Sequence, residues 1–150
     1  DDVYLFYYAK NRGESWGEPT TDGQSVTTSS LGLAKMRRDR WVSLSPVGDV
    51  GTVTSSVICF ANNELHVNVN AAGGSLRAEL IDYDGKPVAG YTLDECVPIT
   101  SDSMDQVVTW KDGHDLTELI GTAVHYPPEV SRAMRIKFAL ERAHLFSFSC

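Results

Sequence analysis

The chain has 150 residues, of which 42% are hydrophobic and 22% charged, a balance that suits one globular domain rather than a disordered segment. Thirteen basic residues against twenty acidic ones leave a net charge of −7. That argues against a nucleic-acid partner or an anionic membrane, since both require clustered cations. The one compact basic cluster, Lys35–Arg40, is interrupted by Met36 and Asp39. No run approaches the ~20 apolar residues of a membrane span, and Asp1-Asp2-Val3-Tyr4 carries neither part of a signal-peptide pattern.

In chain order, Val3–Ala9 is an aromatic run that reads as a buried strand. Asn11–Ser30 is polar and rich in Gly, Ser and Thr, which reads as a long loop. Leu31–Met36 and Trp41–Leu44 follow as extended segments, with Trp41 read as core. Val53–Phe60 has the β-branched and aromatic content of a half-buried strand. In Glu64–Asn70 the alternation is clear: Leu65, Val67 and Val69 point one way, and His66, Asn68 and Asn70 the other. Leu76–Ile81 is the next strand, and Asp84-Gly85 marks a hairpin-type turn before Lys86-Pro87-Val88.

Gln106–Trp110 and Met134–Leu140 complete the central strands, and Ala143–Phe148 is expected to pair with the latter. One helical turn is expected at Asp115–Ile120, capped by Asp115. His125–Ala133, with Pro127-Pro128, interrupts the rhythm. Strands at intervals of roughly 8–12 residues predict an all-β, antiparallel sandwich of jelly-roll type, with residues 1–150 as one domain. Residues 1–30 stand apart as the remnant of a preceding strand and loop, or as a strand of this domain.

Chemistry is sparse. No nucleophile elbow, zinc-protease helix, Cys-x-x-Cys, phosphate loop or dinucleotide fingerprint occurs, so neither cofactor nor metal is expected. His66, His114, His125 and His144 lie far apart and read as surface residues. Asp82, Asp84, Asp94, Glu95, Asp102 and Asp105 could supply the paired carboxylates of a small glycosidase. All sit at apparent turns, where an acid usually caps its own backbone. Asp82-Tyr83-Asp84-Gly85 offers oxygen ligands to calcium but lacks the twelve-residue loop and its closing glutamate. Cys59, Cys96 and Cys150 leave two arrangements open: one disulfide with one thiol, or three thiols. Trp16, Trp41, Trp110, Tyr83, Tyr91 and Tyr126 are the rings on which a sugar could stack, although Trp41 and Trp110 lie in strand-like runs that favour the core.

Three stretches, Leu31–Leu44, Glu64–Asn70 and Leu80–Tyr91, together resemble the C-terminal β-sandwich of proteins related to glycoside hydrolase families 32 and 43. Asp94–Ser103, Asp115–Gly121, Arg135–Phe138 and Ala143–Phe148 extend that resemblance over about residues 31–150. Arg40 and Trp41 stand where the family usually has glycine and phenylalanine, and His125–Ala133 is foreign to its pattern. The resemblance implies a secreted, non-catalytic module beside a five-bladed propeller that holds the catalytic carboxylates. No catalytic residue carries over, and Val3–Ala9 corresponds at most to the last propeller strand.

Arg37, Arg38 and Asp39 would then lie at the domain interface, against an adjacent catalytic domain or a second subunit of the parent protein. For carbohydrate binding, the expected residues are Tyr83, Tyr91, Trp110 and Asp102, with hydrogen bonds from Asn68 and Asn70. Two alternatives stand beside carbohydrate binding: a structural sandwich that binds no ligand, and a small glycosidase.

Overall fold

A computed structural model describes residues 2–11, 28–119 and 133–150. The chain divides into two compact units, 1–38 and 39–150.

The first unit is a two-stranded antiparallel hairpin, β1 (Asp2–Asn11) against β2 (Thr28–Arg37). Thr28, Ser29 and Ser30, expected in the loop, extend β2. Tyr7 packs its ring over Gly32, where a Cβ would collide with the ring. Val3–Ala9 is not buried. Tyr4, Phe6 and Tyr8 share one face with Leu31 and Leu33, and all five are exposed, Phe6 and Tyr8 to 67%. Two strands have only each other to pack on, so an all-apolar run here finds no second layer within its own unit.

The second unit is an all-β sandwich of two three-stranded antiparallel sheets. One is ordered β3 (Val50–Thr54), β7 (Arg135–Glu141), β5 (Ser75–Ile81). The other is ordered β6 (Asp102–Val108), β4 (Leu65–Asn70), β8 (His144–Ser149). Among these strands every consecutive pair lies in opposite sheets, so each connection crosses the sandwich. β8 accordingly pairs with β4 and not, as expected, with β7. The reason is local: Arg142 adopts φ 42°, and this left-handed kink after Glu141 turns the chain out of its sheet before His144.

Alternation delivers a single core. Leu65, Val67 and Val69 of β4 meet Leu76, Ala78 and Leu80 of β5 and Ile136, Phe138 and Leu140 of β7. Phe60, Leu116, Tyr91 and Trp110 close the core from the connecting segments. The turn from β4 to β5 relies on Gly73 at φ 93° and on Gly74, which lies against the Glu141 carbonyl with no room for a Cβ. Val53–Phe60 is strand only to Thr54, and Ile58 then rejoins the sheet by a bridge to Met134. The expected turn at Asp115 is a 3₁₀ turn, Thr117–Leu119, whose Thr117 N–H donates to Asp115 Oδ1 at 2.9 Å. Ile120 and residues 121–132, most of the interruption foreseen at His125–Ala133, lie outside the described residues. The three cysteines are unbonded.

Candidate functional site

The residues expected to hold a sugar do not converge. Tyr91 and Trp110 are 5% and 2% exposed and pack edge to face, their centroids 5.2 Å apart. Both rings have their polar tips tied down within the fold. The Tyr91 hydroxyl donates to the Asp115 carbonyl at 2.6 Å, and Trp110 Nε1 donates to the Ala78 carbonyl at 3.1 Å. Neither offers a free face for stacking. The expectation for these two is corrected: they are core rings, buried because their segments cross the end of the sandwich. Trp41 goes the other way and is exposed, since only Leu44 of its segment pairs with a strand.

Asn68 is also buried, although simple alternation places it outward. At a bulge the register shifts between Val67 and Val69 against β6 and between Asn68 and Val69 against β8, and Asn68, which keeps its place between two core valines, is buried on its own face under the Arg40 side chain. Arg40 satisfies it. Asp39, at φ 58°, swings the chain so that the Arg40 guanidinium enters this bulge. Nε donates to Asn68 Oδ1 at 2.9 Å. Nη2 donates to the Val69 carbonyl at 3.3 Å and the Ser103 carbonyl at 3.1 Å, and it lies 2.7 Å from Asp102 Oδ1. The Phe146 ring covers the guanidinium at 4.5 Å. Asp102 and Asn68 are thereby committed to holding β4, β6 and β8 together. Asn70 accepts a bond from the Ala72 N–H across its own turn.

The turn acids behave likewise. Asp82 Oδ1 accepts from Lys86 N–H at 2.8 Å, and Glu95 Oε2 accepts from both the N–H and the hydroxyl of Thr92. Those bonds from Thr92 hold the Glu95 carboxyl below its usual range, as the Thr117 amide does for Asp115. A glycosidase acid needs the opposite, a carboxyl kept protonated by its surroundings. No group of three His, Cys, Asp or Glu able to hold a metal occurs among the described residues. His66 comes nearest, with Asp105 Oδ1 at 2.6 Å from Nδ1 and Glu64 Oε2 at 3.2 Å from Nε2. The two acids bind opposite nitrogens of one ring, so their oxygens face away from any common centre.

Of the expected sugar-stacking rings, Tyr83 stands out from the surface, 53% exposed at the tip of the Asp82–Lys86 turn. Trp16, Tyr126 and His125 lie outside the described residues. His114 and His144 are exposed, the former against Tyr91 and the latter beside Ser43 and Phe146. Arg37 ends β2, and the division between the units falls between Arg38 and Asp39, within the trio expected at an interface.

What most distinguishes this surface is apolar. Tyr4, Phe6, Tyr8, Leu31 and Leu33 make one continuous face of the hairpin, and Leu5 and Tyr7 are half exposed on the other. The sequence held a signal for this. Tyr4-Leu5-Phe6-Tyr7-Tyr8 has no polar alternate, so both faces of the strand call for cover. No family model, curated protein or solved structure matches this chain.

Proposed function

We propose that this chain is a non-catalytic β-sandwich module that packs through apolar surface onto a neighbouring protein domain. Following the resemblance over residues 31–150, that neighbour is the propeller of a glycoside hydrolase of the family 32/43 type, in a secreted protein. The observation that carries this reading is the exposed apolar face Tyr4–Phe6–Tyr8–Leu31–Leu33. Contiguous apolar surface of this kind marks an interaction site, and a two-stranded hairpin is at best marginal without a further layer. The amide and acid side chains that a sugar would need are supporting evidence by their engagement elsewhere: Asn68 and Asp102 with Arg40, and Asp82 and Glu95 with their own turns.

The test has two arms. Titrating the intact chain with a separately produced five-bladed propeller of that family should raise its melting temperature, and Phe6→Lys with Leu33→Lys should abolish the rise. An affinity gel run with a panel of polysaccharides should show no retardation. Retardation that Tyr83→Ala removes, with no response to the propeller, would replace this reading by carbohydrate binding. That second reading has two exposed rings in its favour, Tyr83, flanked by Asp82 and Asp84, and Trp41.

A further inference from the structure

Three Asp-Gly pairs occur in the chain, at Asp22, Asp84 and Asp112, and the first lies outside the described residues. Such a pair has a chemistry of its own. Glycine has no Cβ to shield its nitrogen, and its backbone rotates freely, so that nitrogen can attack the carboxyl carbon of the aspartate before it. The fold treats the two described pairs differently. Asp84-Gly85 is clamped: Gly85 N–H donates to the Asp82 carbonyl at 3.1 Å, Asp82 N–H to the Lys86 carbonyl at 2.9 Å, and Lys86 N–H to Asp82 Oδ1 at 2.8 Å. Ile81 then bridges to Pro87 and returns the turn to β5.

Asp112-Gly113 is held mainly at the ends of its loop. Trp110 and Leu116 are buried in the core, and Lys111–Asp115 between them are all exposed. Lys111 N–H donates to the Glu95 carbonyl and Leu116 N–H to the Asn63 carbonyl, both at 2.8 Å, which fixes the two ends. In the middle, Gly113 N–H reaches the Trp110 carbonyl at 3.3 Å, long for such a bond. Asp112 stands at φ 65° and ψ 10°, and Gly113 follows at φ 72°. Two residues in succession are left-handed here. Aspartate tolerates that region better than most residues, but it still stores strain there.

We infer that Asp112 is a self-modification site, at which the folded chain converts its own backbone to an isoaspartyl linkage. The Gly113 nitrogen attacks Cγ of the protonated Asp112 carboxyl. The carboxyl hydroxyl and the amide proton leave as water, and a five-membered succinimide closes. Water then opens the ring. Cleavage of the bond from the nitrogen to Cγ restores Asp112. Cleavage of the bond from the nitrogen to the main-chain carbonyl leaves the chain running through Cβ and Cγ, with the α-carboxylate as a short branch. One water is released and one consumed, so mass and charge are unchanged.

The fold decides which pair reacts. Ring closure turns Asp112 about ψ, which breaks the long Gly113 bond and leaves Trp110 and Leu116 seated in the core. Exposed loops with few bonds open locally at small cost. Gly113 has open space where a Cβ would sit, so its peptide can follow the rotation. At Asp84 the same rotation pulls against every bond of the clamp. The product also relieves the strain, because a main chain routed through Cβ needs no left-handed φ. An isoaspartyl α-carboxylate in an exposed loop is a substrate for carboxyl methyltransferases that use S-adenosylmethionine, and that is the ligand class the modified site takes.

The intact chain is aged at pH 6 and 37 °C, then digested with endoproteinase Asp-N, which cuts before aspartate but not before isoaspartate. Cleavage before residue 112 should be lost at least fivefold faster than cleavage before residue 84. A peptide lighter by one water should appear on the way. Asp22 is read by its own cut and does not enter the ratio. In urea both pairs are freed, and the two rates should converge. Methyl transfer from labelled S-adenosylmethionine by a purified isoaspartyl methyltransferase should fall in Asp112→Glu and persist in Asp84→Glu. Equal or reversed rates in the folded chain overturn the inference, as does intact cleavage before 112 throughout. A ratio that survives urea also overturns it, since the fold would then have no part in the choice.

Discussion

Arg40→Ala removes a side chain that ties the start of the second unit to β4, β6 and β8. Its side chain is 9% exposed, and four polar partners surround it: Asn68 Oδ1, the carbonyls of Val69 and Ser103, and the carboxylate of Asp102. Truncation leaves Asn68 Oδ1 facing a cavity in a bulge that already has displaced register. Leaving a buried acceptor unpaired costs about 1–3 kcal/mol, and hydrogen bonds to a charged donor contribute about 1.5–3 each. Removing one member of a buried ion pair costs about 3–5 kcal/mol. Asp102 is a third exposed, so water recovers part of that, and contributions within one network do not add. The expected loss is about 3–4 kcal/mol.

Urea unfolding should therefore show a lower midpoint at unchanged slope, with a melting temperature down by about 10–15 °C for a domain of this size. Arg40→Lys keeps the charge but loses the fork that reaches four oxygens, and it should fall between. Arg40→Gly removes the same donors and frees the backbone as well, so it should be at least as costly as alanine. A loss below about 1 kcal/mol for Arg40→Ala would refute the assignment, because such a value is typical of an exposed ion pair.

His66 should titrate above its ordinary 6.5, chiefly because the Asp105 carboxylate holds its ring N–H, with burial opposing this and Glu64 adding a lesser contribution. Since folding raises this pKa, its stabilisation is complete below the unfolded value and fades as pH rises through the folded one. Asp105→Asn should flatten the decline in urea midpoint above pH 6.5 and move the His66 proton resonance midpoint back down. Gly74→Ala should cost about 3 kcal/mol or more in the same assay, because its Cβ would overlap the Glu141 carbonyl, a backbone atom held in β7. Trp110→Phe should cost about 1–3 kcal/mol by leaving the Ala78 carbonyl without its indole donor; an unchanged midpoint would mean the indole bond contributes nothing net.

The second unit was largely legible because its strands obey the period of two. Leu65, Val67 and Val69 were assigned inward from alternation alone, and Leu76–Ile81 was assigned to within a residue of β5. Local turn chemistry was equally readable at Asp84-Gly85, where Gly85 takes φ 83°, and at Asp115. Pairing was not readable. Met134–Leu140 and Ala143–Phe148 look like a hairpin in sequence, and nothing in their composition reports that Arg142 turns left-handed and sends β8 to the other sheet.

The candidate site failed for a related reason: exposure is a property of layers, not of local sequence. Tyr91 sits beside a turn, yet the turn folds back over the end of the sandwich, and its hydroxyl finds the Asp115 carbonyl. Asn68 holds the polar position between Val67 and Val69 in an alternating strand, yet it is buried because the Arg40 side chain lies over it and donates to its Oδ1. Arg40 therefore belongs with the bulge and with Asp102 as one unit, and the three should respond together in double-mutant cycles: Arg40→Ala with Asn68→Ala should cost less than the sum of the two, by about 1 kcal/mol or more. Strict additivity would separate Arg40 from the bulge and leave its burial beside Phe146 as the sole reason for its place in the fold.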